Sequence, residues 1–525
     1  MPARTIVAPP KAIDFDAIRA ALGIPDGYPA DAVAQARAAA GAADGATNGA
    51  VAGHPAPGPG APPPGDPVLL DVAFVTLDPP GSRDLDQAVH LSRRPGEARD
   101  TNATGGAGGT DPPAGAGAAG DDQPGGGEAA GGYLVRYAIA DVARFVAPAG
   151  PLAQETWRRG ATLYSPDRST PLHPVELSEG AASLLPGVVR PAVVWTIALD
   201  AAGEPVEVDV RRAFVRSVAQ LDYPSAQQAA DAGDLHPSIA LLPEIGALRE
   251  TLARRRGALS LDIPDTEVVR GPDGRWTLER RAVLAIERHN AEISLLTGIC
   301  AARLMLDGGV GLLRTLPTPT AEQVDLLRRA TAALGIPWPE SMPVSEVIAG
   351  LDGSRPRDAA FLEDAVRLLR GAGYTAFDGA PPARPDHGGV GGPYAHVTAP
   401  LRRLADRYAT EVCLALHAGR PVPDWARAAL PDLPATMTAA DRKAAELAKA
   451  CAGAVSVFVL HGREGETFTA TVLQLEPAKD RAIVILHEPP VRAHCPPDGL
   501  VEGSVISVRL VSADPATNRF VVEPA

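Results

Sequence analysis

Three aspartates crowd one short stretch, Asp78-Pro-Pro-Gly-Ser-Arg-Asp84-Leu-Asp86-Gln87. Asp84 and Asp86 are two positions apart, so an extended chain points both carboxylates to one face. The intervening Pro-Pro-Gly is turn chemistry that lets Asp78 fold back toward them. Three carboxylates on one loop repel each other unless a cation joins them. Hard oxygen donors suit Mg2+, or Mn2+, ions that leave positions open for water and phosphate oxygens. Cations of that kind activate a water and stabilise a leaving oxygen in phosphodiester cleavage. The same residues also describe an ordinary turn with a solvated Asp–Arg pair, so the spacing needs a second line of support.

The flanking segments predict what holds this loop. VLLDVAFVTLD, from Val68, reads as a strand ending at Asp78, and LDQAVHLSRR alternates into a second strand. Residues 95–132 are low in complexity, rich in Gly, Ala, Pro and acidic side chains; strand character resumes at YLVRYAIADVARFV. This predicts a disordered insertion at a hairpin tip, where extra length costs little closure entropy. VVWTIALDAAGEPVEVDVRRAFVRS predicts a hairpin turning at Ala202–Gly203. AEISLLTGICAARLML predicts a buried helix, LRRLADRYATEVCLALHAG a helix closed by Gly419, and AADRKAAELAKACAGAVSVFVLHG a long helix. TFTATVLQLE, RAIVILHE, SVISVRLVSA and RFVVEPA are short strands at regular spacing, which predicts a small C-terminal β-barrel.

The chain has 525 residues, which at roughly 100–200 per domain suggests about three domains. A net charge of −14 excludes a uniformly basic nucleic-acid coat, though not a local basic channel. Cys300, Cys413, Cys451 and Cys495 lie far apart, which argues against a disulfide framework or a cysteine zinc site. The start of the chain lacks an export signal and no apolar run is long enough to span a membrane, so the expectation is a soluble, cytoplasmic protein. The expected organisation is a small helical unit over 1–40 with Asp31 as an N-cap, a flexible linker over 41–67, a catalytic domain over 68–460 carrying the insertion 95–132, and a barrel over 464–525.

Five stretches together resemble the ribonuclease II (RNB) family of exoribonucleases. DPPGSRDLDQAV is similar to its acidic signature, and IADVARFV to the strand that follows. RRGATLYSPDRSTPLHPVELSEGAASLLPG, RRGALSLDIPDTEV and YAHVTAPLRRLADR match further family stretches, all in the family's order. The resemblance implies an α+β fold: an RNB core of mixed sheets and helices, with the C-terminal β-barrel in the place of the family's RNA-binding OB-fold. A pair of cold-shock domains at the N-terminus has no counterpart here.

Residue by residue, the resemblance implies that Asp78, Asp84 and Asp86 hold Mg2+ (or Mn2+), with Asp86 tied most directly to catalysis. Arg402 would stabilise charge on the attacked phosphate, since a guanidinium fork matches phosphate oxygens and stays charged. Tyr164 would pack on the terminal nucleotide, and Arg168, His396 and Arg403 would contact phosphate or support the site. The implied activity is processive 3′→5′ hydrolysis of single-stranded RNA to nucleoside 5′-monophosphates by a monomer. Four positions depart from the pattern: Gln87 stands at the fourth acidic position, Leu404 at an aromatic one, Ala138 at a histidine, and Ala448 or Lys449 at an acidic position of the late helix. Gln87 binds a cation more weakly than a carboxylate does, which keeps open the alternative of an RNA-binding protein with weakened or lost activity.

Overall fold

The structure, a computed structural model, describes residues 13–52, 68–94, 131–261, 265–271 and 274–525, with backbone alone for 43–52 and 265. The insertion over 95–130, the expected linker from 53 to 67 and the middle of RRGALSLDIPDTEV lie outside the described residues.

Five strands build the frame of the acidic loop. Phe74–Asp78, Gln87–Arg93, Tyr133–Ala140, Val189–Leu199 and Pro205–Asp222 form a closed barrel in that order. Neighbours pair antiparallel, except that Pro205–Asp222 closes the barrel parallel to Phe74–Asp78. The two predicted hairpins are present. Arg93 stands opposite Tyr133, and Arg94 N–H donates to the Gly132 carbonyl at 2.8 Å, so the insertion springs from a hairpin end.

A period of two along each strand feeds two cores. Val75, Leu77, Val89, Tyr137, Ile139 and Trp195 pack with Ile293 and Leu296 of the helix Ala285–Gly308 and with Tyr408 and Val412 of the helix Leu404–His417. Their alternates Phe74, Ala88, Ala138, Ala192 and Val194 form the other core with Leu85, Leu152, Ala32 and Ala36. Burial of each large apolar side chain contributes roughly 1.5–3 kcal/mol. Alanines on the second face let the helix Ala30–Ala52 approach the strand Val189–Leu199, and Ala138, where the family pattern has a histidine, belongs to the same core. This helix starts before Asp31, whose carboxylate accepts from Ala32 N–H inside the first turn rather than capping from outside. It also runs past residue 40, because alanine propensity carries it through the glycines.

The long helix Leu433–Leu460 joins the barrel frame to the C-terminal unit. Its Leu447, Cys451, Val455 and Leu460 share a core with Phe468, Val472, Val484 and Leu510. That unit is a five-stranded antiparallel sheet in which Arg492–Cys495 and Arg519–Pro524, the edges, lie against each other, a nearly closed barrel. Sequence patterning located four of its strands; Arg492–Cys495 is the addition. All four cysteines are free and buried. No helix among the described residues is long and apolar enough to cross a membrane.

Candidate active site

The acidic loop leaves one barrel strand at Asp78 and re-enters the next at Gln87. It turns at Pro79–Ser82, where Ser82 N–H donates to the Pro79 carbonyl at 3.2 Å and Gly81 takes a φ of 81°. Ser183 then fixes its second half. Its hydroxyl donates to the Arg83 carbonyl at 2.6 Å and accepts from Leu85 N–H at 3.0 Å, while Leu184 N–H donates to the Leu85 carbonyl. With Leu85 buried on one side, Asp84 and Asp86 are held on the other face of the chain.

Asp86 is only 2% exposed. Its Oδ1 accepts from Leu401 N–H at 2.7 Å and its Oδ2 from Arg402 Nε at 2.7 Å. Burial pushes its carboxyl up to about 6, with Arg402 pulling the other way. Asp78 Oδ2 is buried with no hydrogen-bond partner. Burial pushes that carboxyl up to about 7, and the charges of Asp86 and Asp84 add to the rise against Arg402. Arg402 feels the converse: burial works against its charge, and Asp86 and Asp84 more than offset this, so its pKa rises.

Arg402 sits on the turn that starts the helix Leu404–His417. Arg402 and Arg403 N–H both donate to the Ala399 carbonyl, and buried Asp406 accepts from Ala399 N–H at 2.7 Å. Arg403 is committed to this scaffold. Its Nε and a terminal nitrogen grip Asp406 at 3.0 and 2.8 Å. His396 lies in the same pocket, with Nδ1 at 2.7 Å from the Tyr374 hydroxyl. Burial, then Arg403 and Arg314, hold His396 well below its ordinary pKa, so it is neutral at neutral pH. Leu404, at the position where the family has an aromatic, is buried beside them.

Tyr164 ends the short strand Leu163–Tyr164, which pairs with Ser169–Thr170 across a tight turn. Its hydroxyl donates to Asp84 Oδ2 at 3.2 Å, while the residue remains 53% exposed. The hairpin's base is tied to the arginine turn: Thr162 N–H donates to the Arg402 carbonyl and Leu404 N–H to the Gly160 carbonyl. Arg168, on the far side of the hairpin, is paired with Asp16 at 2.7 Å and with Asp26, away from the three aspartates. Thus Asp78, Asp84, Asp86, Arg402 and Tyr164 converge, and Arg168, His396 and Arg403 stand outside that group.

Gln87 has a structural role that sequence reading missed. Its Oε1 accepts from the Tyr137 hydroxyl, and its Nε2 donates to the Thr398 carbonyl at 2.7 Å. A carboxylate could not make the second bond, because it has no donor. Gln87 therefore straps the barrel to the segment that carries Arg402. Ser183, Thr398 and the Leu401 amide were equally invisible, since each acts across a long stretch of sequence.

The donors around Asp78 are all hard oxygens, and one of them is buried without a partner. Among the described residues, no three acidic, histidine or cysteine groups close into a complete ligand set. Mg2+ tolerates that, being held by one or two carboxylates with waters and substrate oxygens. The residues fit a hard divalent cation.

Comparison with known proteins agrees with this architecture. The RNB domain model matches residues 68–416, and the RNase II-type exonuclease C-terminal S1 domain model matches residues 466–525. The exosome complex exonuclease RRP44 homolog A of Arabidopsis thaliana is 28% identical over 64% of the chain and 34% of its own length. Ribonuclease R of Escherichia coli is 27% identical over 64% of the chain and 38% of its own length. The chain thus spans less than half the length of these curated relatives. Among solved structures, Mycoplasma genitalium RNase R in complex with ribose methylated single-stranded RNA superposes with a TM-score of 0.73 at 17% identity, covering 87% of this chain and 71% of that one.

Proposed function

The chain belongs to the RNB family, and on that premise we propose that it is a processive 3′→5′ exoribonuclease that shortens single-stranded RNA to nucleoside 5′-monophosphates with a divalent cation. The observation that carries this reading is the pair of buried Asp86 with partly exposed Arg402, flanked by Asp84, by the unpartnered Asp78 oxygen and by the exposed ring of Tyr164.

Each residue has a task its surroundings allow. Arg402 commits its Nε to Asp86 yet its side chain stays 40% exposed, so its terminal nitrogens are available to a phosphate. Asp86 fixes the plane of that guanidinium, and the Leu401 amide fixes Asp86. Tyr164 offers an aromatic face for the last base, a contact that tolerates any base. Its hydroxyl bond to Asp84 sets the distance between that base and the carboxylates. Asp78, Asp84 and Asp86 would hold Mg2+ or Mn2+, which when bound supplies an activated water and balances charge on the phosphoryl oxygens. His396 is neutral and hydrogen-bonded to Tyr374, and Arg403 is paired with Asp406, so both serve best as supports. Arg168 would reach a phosphate only by leaving Asp16 and Asp26.

The test is product analysis of oligoribonucleotides labelled at either end. With Mg2+, a 3′ label appears at once as mononucleotide and a 5′ label passes from full length to a short end fragment with few intermediates; with chelator neither forms. Binding without shortening would reject the reading. A second reading, an RNA-binding protein of weakened or lost activity, draws support from Gln87, whose amide is committed to Tyr137 and Thr398. Under that reading Gln87→Asp shortens RNA much faster than the parent; under the first it gives no gain.

A further inference from the structure

The residues before the barrel grip one feature of the site. The helix Phe15–Ala21 is capped by Asp14, whose carboxylate accepts from Ala17 N–H at 2.8 Å. It lays Arg19, only 3% exposed, against the turn that joins Tyr164 to Ser169. The Arg19 terminal nitrogens donate to both oxygens of Asp167, at 2.7 and 2.8 Å, and one also reaches the Ser165 hydroxyl. Burial raises the Asp167 carboxyl's pKa, but the bonds from Arg19 and Ser165 prevail and hold it down to about 2. On the same turn Arg168 is paired with Asp16 and Asp26.

The other arm of the hairpin is held as well. The Tyr28 hydroxyl donates to the Pro171 carbonyl at 2.7 Å, and the Arg159 guanidinium lies 3.7 Å from the centre of the Tyr28 ring. Phe15 and Ile24 share a core with Leu163, the residue before Tyr164. The grip therefore falls on both strands and the turn of the hairpin that presents Tyr164. A two-residue strand pair cannot hold itself rigid, since even longer isolated hairpins are marginal in water. Its order must come from what covers it.

We propose that the N-terminal helical unit is a positioning element of the active site, in which Arg19, through Asp167, fixes the hairpin that aims Tyr164 at the 3′-terminal base. This rests on the reading of Tyr164 as the surface that stacks on that base. Arg19 itself touches neither substrate nor reacting atoms. A bidentate guanidinium–carboxylate pair is the geometry that fixes a turn in orientation as well as in distance. Misplacement of a positioning group by about 1 Å can cost up to 100-fold in rate.

The experiment uses the full chain in chelator with an oligoribonucleotide ending in 3′-terminal 2-aminopurine, whose fluorescence falls on stacking. Parent, Arg19→Gln, Asp167→Asn, Tyr164→Ala and Arg19→Gln/Tyr164→Ala are compared. The expected result is quenching by the parent, loss of most of it in Tyr164→Ala, and a similar loss in Arg19→Gln and Asp167→Asn. The double variant should add nothing to Tyr164→Ala. With Mg2+, KM should rise roughly tenfold in Arg19→Gln and not at all when Tyr164 is already alanine. Asp167→Asn guards against a folding artefact, because it keeps the turn's size and polarity while removing the charge pair. Quenching by Arg19→Gln and Asp167→Asn equal to the parent's, with Tyr164→Ala still distinct, overturns this inference and leaves the exoribonuclease reading standing. Equal quenching by parent and Tyr164→Ala overturns it together with the stacking role. Failure of the parent to shorten RNA, with Tyr164-dependent quenching intact, sinks the nuclease reading alone.

Discussion

Arg402 and Arg403 are neighbours on one turn, and they face two different regions. Arg402 looks into the acidic centre, where it gives a single nitrogen to Asp86. Arg403 looks into the pocket of Tyr374, Tyr394 and His396, where both its bonds go to Asp406. The first region holds an unpartnered carboxylate oxygen on Asp78 and a half-exposed aromatic ring on Tyr164. In the second, Asp406 and Arg403 satisfy each other and His396 is bonded to Tyr374. The lesson is that the pair to propose as a reactive centre is the one whose geometry leaves something unfinished. Completed pairs hold the fold, and here one holds the turn that aims the incomplete pair.

Substitutions can separate the two regions. The largest effect falls on Asp86: Asp86→Asn should lower the shortening rate by at least about 1,000-fold, as when a preorganised charge is removed at a reacting centre. RNA affinity, read by filter binding, should stay within a few-fold. Arg402→Lys keeps the charge and loses the fork, so kcat should fall roughly 100-fold while Tm barely moves. Arg403→Ala should do the reverse. It strands buried Asp406, at a cost on the order of 3 kcal/mol visible in urea unfolding. If Arg403→Ala left stability intact and removed activity, the division between the two pockets would be wrong. Tyr164→Ala should change the length of the final undegraded fragment, read on a sequencing gel, because in the proposed reading the ring sets how the tail end is held.

The smallest effect is electrostatic. Asp78 has its pKa raised to about 7, so the folded chain binds a proton there that the unfolded chain has released near pH 4. The folded state therefore loses stability as pH rises from about 4 to 7. In chelator, Asp78→Asn should raise stability by on the order of 1 kcal/mol at pH 7.5 and by clearly less at pH 5. An equal gain at both pH values would mean that burial and the neighbouring carboxylates do not hold the Asp78 carboxyl above its ordinary pKa.

Local pattern carried much of this into view. The barrel strands read correctly because apolar residues alternate along them, and the acidic loop because its turn residues and spacing are contiguous. The ordered stretches also brought Tyr164 and Arg402 to the same site although 238 positions separate them. What stayed hidden was every bond whose partner is remote and ordinary: the Leu401 amide on Asp86, the Thr398 carbonyl on Gln87, the Ser183 hydroxyl on Leu85. Backbone groups leave no trace in residue type. Gln87 reads in the sequence as a departure from the acidic pattern; its two hydrogen bonds, to Tyr137 and Thr398, appear only in the fold. Arg168, read as a phosphate contact, pairs with Asp16 and Asp26 of the N-terminal unit, a docking that composition alone does not disclose.

The central claim is that the tail of an RNA strand lies against the Asp86–Arg402 centre. An oligoribonucleotide with 4-thiouridine at its 3′ end, cross-linked in chelator and mapped by mass spectrometry, tests it directly. The account predicts adducts within residues 161–170 and around Arg402. Adducts confined to the C-terminal barrel would contradict it.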